Sequence, residues 1–467
     1  MSEAVVTKRS REKDAEIPAP IKELPPRKKA KRDKKFERDV LAESEYYFDN
    51  GLRWVYPYCF TFTSHAKGRW VGSTIYNLFC KEFQAETPEY YARALETGKI
   101  SVNGVAANKD TVIKNNDLIT HRVHRHEPPV VDDHIDIVHK DDELVVINKP
   151  ASIPVHPCGR YRNNTVWFIM AKEYQLTSLH TVHRIDRLTS GILIFARSVG
   201  MAQKLEKQIQ GRQVSKKYVC KVEGEFPLEK VECSQPITIE CHRLGVCRVD
   251  PAGKSCSTLF ERLHLDGTSS IVACYPTTGR MHQIRVHLQW LGYPIVNDPV
   301  YNHPAWGKDK GKGGVDPADM EQIIADIAAT HYSNDKTPSN NPSLSNSNNN
   351  TPNESATLTS HSSVSIDFNT VPTANNDNDK LSQNVTVPVD STVCESSTSS
   401  TTPVCNRPTF DISKLTVDPD CTECSTTRRH PSPGQLVMYL HALSYQGPGW
   451  EFHTELPAWA LDCPLST

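Results

Sequence analysis

Residues His183-Arg184-Ile185-Asp186-Arg187-Leu188-Thr189-Ser190-Gly191 run directly into Ile192-Leu193-Ile194-Phe195-Ala196-Arg197. Short polar groups and a glycine ahead of an apolar, β-branched and aromatic run predict a tight turn that delivers the chain into a buried strand. One carboxylate, Asp186, is thereby set among cations on a loop at the rim of that strand. An aspartate in a loop is most often a turn-former or a cap, so Asp186 gains meaning only from what accompanies it elsewhere. A protein-kinase catalytic loop is excluded, because the acid falls one residue too late and no Asp-Phe-Gly or Val-Ala-Ile-Lys segment is present.

On either side of this run the chain reads as short strands, IDIVHK, ELVVINK, KKYVCKVEG, ERLHL and SIVACYP, interrupted by the helical stretches MAQKLEKQIQGRQ and RMHQIRVHLQWLG. Strands recurring with few long helices predict an α+β domain built on a mixed, mainly antiparallel sheet. In the second helix Ile284, Leu288 and Leu291 share a face, which leaves Arg285 to point elsewhere.

The HRIDRLTSGILIFAR run is similar to the HRLDxxTSGLLLFAR signature of the RluA-type pseudouridine synthases, with Ile185 in place of Leu. Further blocks follow the family order: ELVVINKPASIPVHPCGRYRNNTV (143–166), KKYVCKVEG (216–224), TTGRMHQIRVHLQWLGYPIVNDPVY (277–301) and LHALSYQGPGWEFHTELPAWA (440–460). The form VHPCGRYRNNTV most resembles the eukaryotic tRNA subgroup. The resemblance implies isomerisation of uridine in RNA, with tRNA as the expected partner and position thirty-two of the anticodon loop as the expected target. A synthase acting on messenger or ribosomal RNA, and an RNA-binding or RNA-folding protein with dispensable catalysis, are the alternatives.

By the same resemblance Asp186 is the catalytic carboxylate, acting either as nucleophile at C1′ or as base at the 2′ position. Arg285 pairs with it and holds it ionised. Tyr218 stacks on the target base and assists proton removal from C5. Arg184 fills the gap left by the flipped nucleotide, a place suited to a planar cation. Breaking N1–C1′, turning the base and rejoining it through C5 calls for no metal, redox group or phosphate donor, so no cofactor is expected. Met281 stands where the family more usually has a small polar residue, and Asn297-Asp298 where Gly-Asp is common. His156, His183 and His282 are read as hydrogen-bonded structural histidines.

With 467 residues, 37% of them hydrophobic, and a net charge of −2, the chain can hold two or three domains and is not a polycation that coats nucleic acid indiscriminately. Fourteen scattered cysteines read as reduced thiols rather than a disulfide framework. No apolar run approaches the roughly 20 residues of a membrane span. The N-terminus has neither a signal-peptide core nor an acid-free transit sequence, so cytoplasm or nucleus is expected, with the mitochondrion as a further option. A monomer without membrane association is the expectation.

Residues 1–45 carry four prolines and the run Arg27-Lys28-Lys29-Ala30-Lys31-Arg32, a disordered basic tail serving as an RNA tether or an import signal. Residues 67–125, with the Asn103-Gly104 turn, resemble the small S-four-like α+β RNA-binding domain that often precedes such synthases. The catalytic domain is expected in two pieces, 129–304 and 416–467. Between them, 305–415 is so rich in Ser, Thr and Asn that it reads as a disordered insertion, with a short helix at DMEQIIADIAATHY. Deleting 315–412 is expected to leave folding intact. Cys421-Thr422-Glu423-Cys424 is a lone CxxC, and with only Cys394 and Cys405 nearby in low-complexity sequence no metal is expected there. A deaminase activity is not expected.

Overall fold

The structure is a computed structural model that describes residues 45–83, 86–242, 244–333, 407–426 and 430–461. The basic tail and the greater part of the expected insertion lie outside these residues.

The chain opens with β1 (Tyr46–Asp49) and β2 (Leu52–Val55). A small α+β module follows, made of strands β3 (Tyr58–His65), β4 (Ile100–Val102), β5 (Val105–Ala106) and β6 (Leu118–Arg125) in the order β3-β6-β4-β5. Its helices are α1 (Ile75–Leu78), which runs on as a π turn, and α2 (Pro88–Glu96), which starts at the Thr87 cap. Asn103 and Gly104 both take positive φ, 52° and 80°, which lets a two-residue turn join β4 to β5. Trp70, Ile75, Tyr91, Ile100 and Ile119 form the module's own core. β7 (Val130–Val131) then closes a three-stranded sheet with β1 and β2.

Ten strands make the principal sheet. They are β8 (Asp136–Lys140), β9 (Leu144–Lys149), β10 (His180–Thr181), β11 (Ser190–Ala196), β12 (Ser215–Glu223), β13 (Val231–Cys233), β16 (Thr258–Asp266), β17 (Ser269–Pro276), β18 (Leu440–Gly447) and β19 (Trp450–His453). Two more strands, β14 (Ile237–Cys241) and β15 (Val246–Val249), pair with each other. The main path is β13-β16-β17-β12-β18-β11-β9-β8, antiparallel except where β11 runs parallel to β18. Along β11, Ile192, Ile194 and Ala196 enter one core while Leu193 and Phe195 enter another on the opposite face. Leu144 and Val146 alternate in the same way with Val145 and Ile147 on β9. Burial on both faces is why these strands read as unbroken apolar runs rather than alternating ones. Among the described residues no helix is long and apolar enough to cross a membrane.

Helices α3 (Val166–Glu173), α4 (Val199–Gln210) and α5 (Gln283–Leu291) pack on the sheet. α5 is buried on every side, with Gln283 through Gln289 all enclosed, so the expected one-faced helix is in fact a core helix.

Three expectations change. The turn before β11 spans Asp186 to Thr189, where the Thr189 amide donates to the Asp186 carbonyl at 3.1 Å, and Ser190 and Gly191 already belong to the strand. The expected insertion is narrower at both ends. Trp306 and the helix α6 (Met320–Ser333) pack through Met320, Ile323 and Ile327 against Tyr301, and Phe410 lies on Tyr47 and Tyr56. Deletion of 315–412 therefore removes core side chains. Lastly, the CxxC is accompanied after all: His124 and His126, about 300 residues earlier in sequence, lie against Cys421 and Cys424.

Candidate active site

Asp186 lies at the start of the turn before β11, its side chain retaining 28% of its surface in a cleft walled by α5. Lys149, the last residue of β9, is fully buried beneath it, and its ammonium donates to the carbonyls of Pro150, Ile153 and Arg187 at 2.7, 2.9 and 3.1 Å. Three charge-assisted bonds from one side chain tie the Asp186 loop to the strand beside it. Burial pulls the Lys149 pKa down to about 7, with Arg187 adding to the effect.

From α5, Arg285 reaches Asp186 with Nη1 at 3.1 Å from Oδ2. Its other edge is held in a fork by Asp298, Nε to Oδ2 at 2.6 Å and Nη2 to Oδ1 at 2.9 Å. Asp298 is itself fixed by the amides of Val300 and Tyr301, and the Tyr301 ring lies under the guanidinium at 4.9 Å. A guanidinium locked on one edge can present the other in a single direction, which is how this site aims a carboxylate.

His282 caps α5 in the left-handed region at φ 55°, a strained setting for a residue other than glycine. Its Nδ1 meets the Tyr301 hydroxyl at 2.9 Å and its Nε2 lies 3.6 Å from Asp186. Burial, with Arg285 helping, pushes the His282 pKa down to about 4, so the ring is neutral at neutral pH. Burial would raise the Asp186 carboxyl, but His282 and Arg285 outweigh it and hold it below the usual value. With His282 neutral, Arg285 is the lasting counter-charge.

Tyr218, on β12, shares a hydrogen bond between hydroxyls with Tyr445 of β18. Burial pushes its pKa up to about 12, so it stands as a phenol and not as a ready base. The Tyr445 ring in turn covers His183 at 4.9 Å, and His183 Nε2 accepts the Ile194 amide. Arg184 is exposed at the rim, its Nη1 3.3 Å from His156 Nε2. The loop that carries His156 is anchored by the buried Glu127 carboxylate, which takes the amides of Arg162, Asn163 and Asn164, each at 2.9 Å.

The structure thus brings Asp186 and Arg285 into contact, sets Tyr218 in the wall with Tyr445, and leaves Arg184 at the edge. His282, read as a hydrogen-bonded structural histidine, does bond Tyr301 and also approaches Asp186, while Asp298, Tyr301 and Tyr445 were not singled out from the sequence. The signal was present in the NDPVY segment, whose acid lies 13 residues beyond Arg285. The unusual Asn297 also has a task. It donates to the Val437 carbonyl at 2.9 Å and accepts the Tyr439 amide at 2.8 Å, seating the chain as it enters β18.

Residues 143–290 match the family described as RNA pseudouridylate synthase. Over 94% of this chain and 79% of the relative, the sequence is 43% identical to Pseudouridylate synthase RPUSD2 of Homo sapiens. It is 43% identical to the Saccharomyces cerevisiae protein named tRNA pseudouridine(32) synthase, mitochondrial, over 63% of this chain and 64% of that one. RNA pseudouridine synthase 7 of Oryza sativa is 35% identical, covering 89% of this chain and 92% of the relative. Taken with the sheet and the conjoined carboxylate and arginine, these likenesses establish that the chain belongs to the RNA pseudouridylate synthase family, isomerases that act on uridine in RNA.

Proposed function

We propose that the substrate is tRNA and the target uridine thirty-two of the anticodon loop. The support is the likeness to a yeast relative whose name specifies tRNA and that position. We assign Asp186 to the sugar of the flipped uridine, as nucleophile at C1′ or as base at the 2′ position. The observation that carries the site is the 3.1 Å contact of Asp186 with an arginine whose far edge is locked by Asp298. It keeps the acid ionised and gives it one orientation, as either role requires.

Isomerisation breaks N1–C1′, forms C5–C1′, takes the proton off C5 and leaves one on N1, so atoms balance without an external reagent. Tyr218 provides a neutral aromatic wall and a hydroxyl near the base. Arg184 at the rim suits the space that the flipped nucleotide vacates in the RNA stack. The module 67–125 serves as an S-four-like RNA-binding domain beside a catalytic domain in two pieces. In support, it is an α+β unit with its own core and a two-residue turn at Asn103-Gly104.

The test is Asp186→Ala, followed by pseudouridine mapping in tRNA through reagent-dependent reverse-transcription stops. Loss of the modification at one anticodon-loop position, with RNA affinity little changed, is the expected result. Retained modification refutes the assignment of Asp186, and loss at a site in another RNA class refutes the substrate.

A further inference from the structure

We infer that His124, His126, Cys421 and Cys424 bind a structural zinc ion that fastens the segment 416–426 to the small N-terminal module. The four ligand atoms all lie within 4.8 Å of one another. His124 Nδ1, His126 Nε2 and Cys424 Sγ form a near-equilateral triangle, with edges of 3.2, 3.3 and 3.3 Å. Zinc bonds of about 2.0 Å to nitrogen and about 2.3 Å to sulfur make tetrahedral edges of roughly 3.3 Å between nitrogens and roughly 3.5 Å between nitrogen and sulfur. Three ligand atoms already sit close to those separations, and Cys421 Sγ supplies the fourth.

The surroundings set the ligands as a metal site requires. The Thr416 hydroxyl has one proton and donates it to the Pro57 carbonyl at 2.5 Å. Its 2.8 Å contact with His124 Nε2 must therefore be accepted from that nitrogen. This fixes the His124 proton on Nε2 and leaves the Nδ1 lone pair facing His126 and Cys424. A metal-bound histidine typically donates its remote N–H to an oxygen in this way. The Asp418 amide donates to Cys424 Sγ at 3.5 Å.

Four protein ligands leave no open position, so the site is structural rather than catalytic, and mixed imidazole and thiolate donors select zinc over magnesium or calcium. Neighbouring contacts show what the ion secures. Lys99 of the module bridges Asp418 and Asp420 at 3.0 and 2.9 Å, and Arg160 of the loop beside the active site meets Glu423 at 3.0 Å. The ion closes a chain loop of about 300 residues at a point that joins the module, the segment following the insertion and the rim of the catalytic cleft.

The experiment is metal analysis by plasma mass spectrometry of the full chain, expressed in zinc-supplemented medium and purified without chelator. About one zinc per chain is expected, retained by Cys59→Ser and lost from the double variant Cys421→Ser/Cys424→Ser. A second measurement does not depend on the variants folding: wild-type chain stripped of metal and reloaded with cobalt should show the intense visible bands of a tetrahedral site together with thiolate charge transfer. Wild-type chain without stoichiometric zinc, a weak octahedral cobalt spectrum, or zinc retained by the double cysteine variant each overturns the inference.

Discussion

Gly191 and Ala442 stand in register on parallel strands 251 residues apart, so close that a methyl group on Gly191 would lie 2.2 Å from the Ala442 carbonyl oxygen. Gly191 also has φ +106°, where side chains are strained. Both the backbone angle and the contact require glycine, directly beside the loop that carries Asp186. Gly191→Ala is expected to destabilise the fold by about 3 kcal/mol, the sum of overpacking and backbone strain. Urea unfolding measures it, and a change under about 0.5 kcal/mol contradicts the reading.

Arg285→Met leaves Asp186 and Asp298 facing each other without their shared cation. Because the folded Asp186 pKa is depressed, the benefit of the ion pair is complete above the unfolded value of about 4 and is lost as pH falls through the folded value. The wild-type rate profile should therefore hold down to pH near 4. The variant should lose at least about 100-fold in kcat and show its acid limb at higher pH. An acid limb that does not move would show that Arg285 acts by packing alone.

Tyr218 is a phenol with its pKa pushed up to about 12 by burial. Single-turnover rates should consequently show no alkaline rise between pH 7 and about 9, as a titrating phenolate base would give. Tyr445→Phe removes the partner hydroxyl and should cost about 1 kcal/mol of stability, with a smaller effect on rate than Tyr218→Phe. Equal rate effects in the two variants would assign the chemistry to the hydroxyl pair instead.

Burial holds three histidines of the catalytic domain well below their ordinary pKa: His183 at about 3, His282 at about 4 and His441 at about 4. Each folded pKa is depressed, so the unfolded chain takes up protons first as pH drops below about 6.5. Each then removes up to about 1.4 kcal/mol of stability per pH unit until its folded value is reached. Tm should fall steadily from pH 6.5 towards 4, and His441→Gln should flatten that slope. A Tm constant over the range would contradict the burial of these rings.

Deletions can be placed by the packing of α6. Removing 315–412 takes away Met320, Ile323 and Ile327, which bury against Trp306 and Tyr301, and should cost about 3 kcal/mol or more. Replacing only 334–406 with a glycine-serine linker should leave Tm within about 2 °C. Equal Tm values for the two deletions would place α6 outside the core.

What could be read from the chain followed from burial and from local chemistry. ELVVINK and GILIFAR were legible as strands because each is buried on both faces, and the Asn103-Gly104 turn because few other pairs accept two positive φ angles. Asp186 and Arg285 were legible through their motifs. Distances in space were not. His282 was read as structural because no carboxylate lies near it in sequence, yet folding places it 3.6 Å from Asp186. The CxxC was read as incomplete because its histidines are about 300 residues away. The insertion was drawn too wide because α6 is surrounded by polar sequence, so its three buried apolar residues carried little weight.

The position of β18 has a consequence for how the molecule is made. This strand, residues 440–447, lies between β12 and β11 in the middle of the principal sheet, although 227 residues separate its Tyr445 from Tyr218 on β12. Until the ribosome has released it, β11 and β12 each present an open hydrogen-bonding edge, and the Asp186 loop lacks the strand that seats it. The active site is therefore completed only once residues 440–447 have been made, long after the Asp186 loop itself.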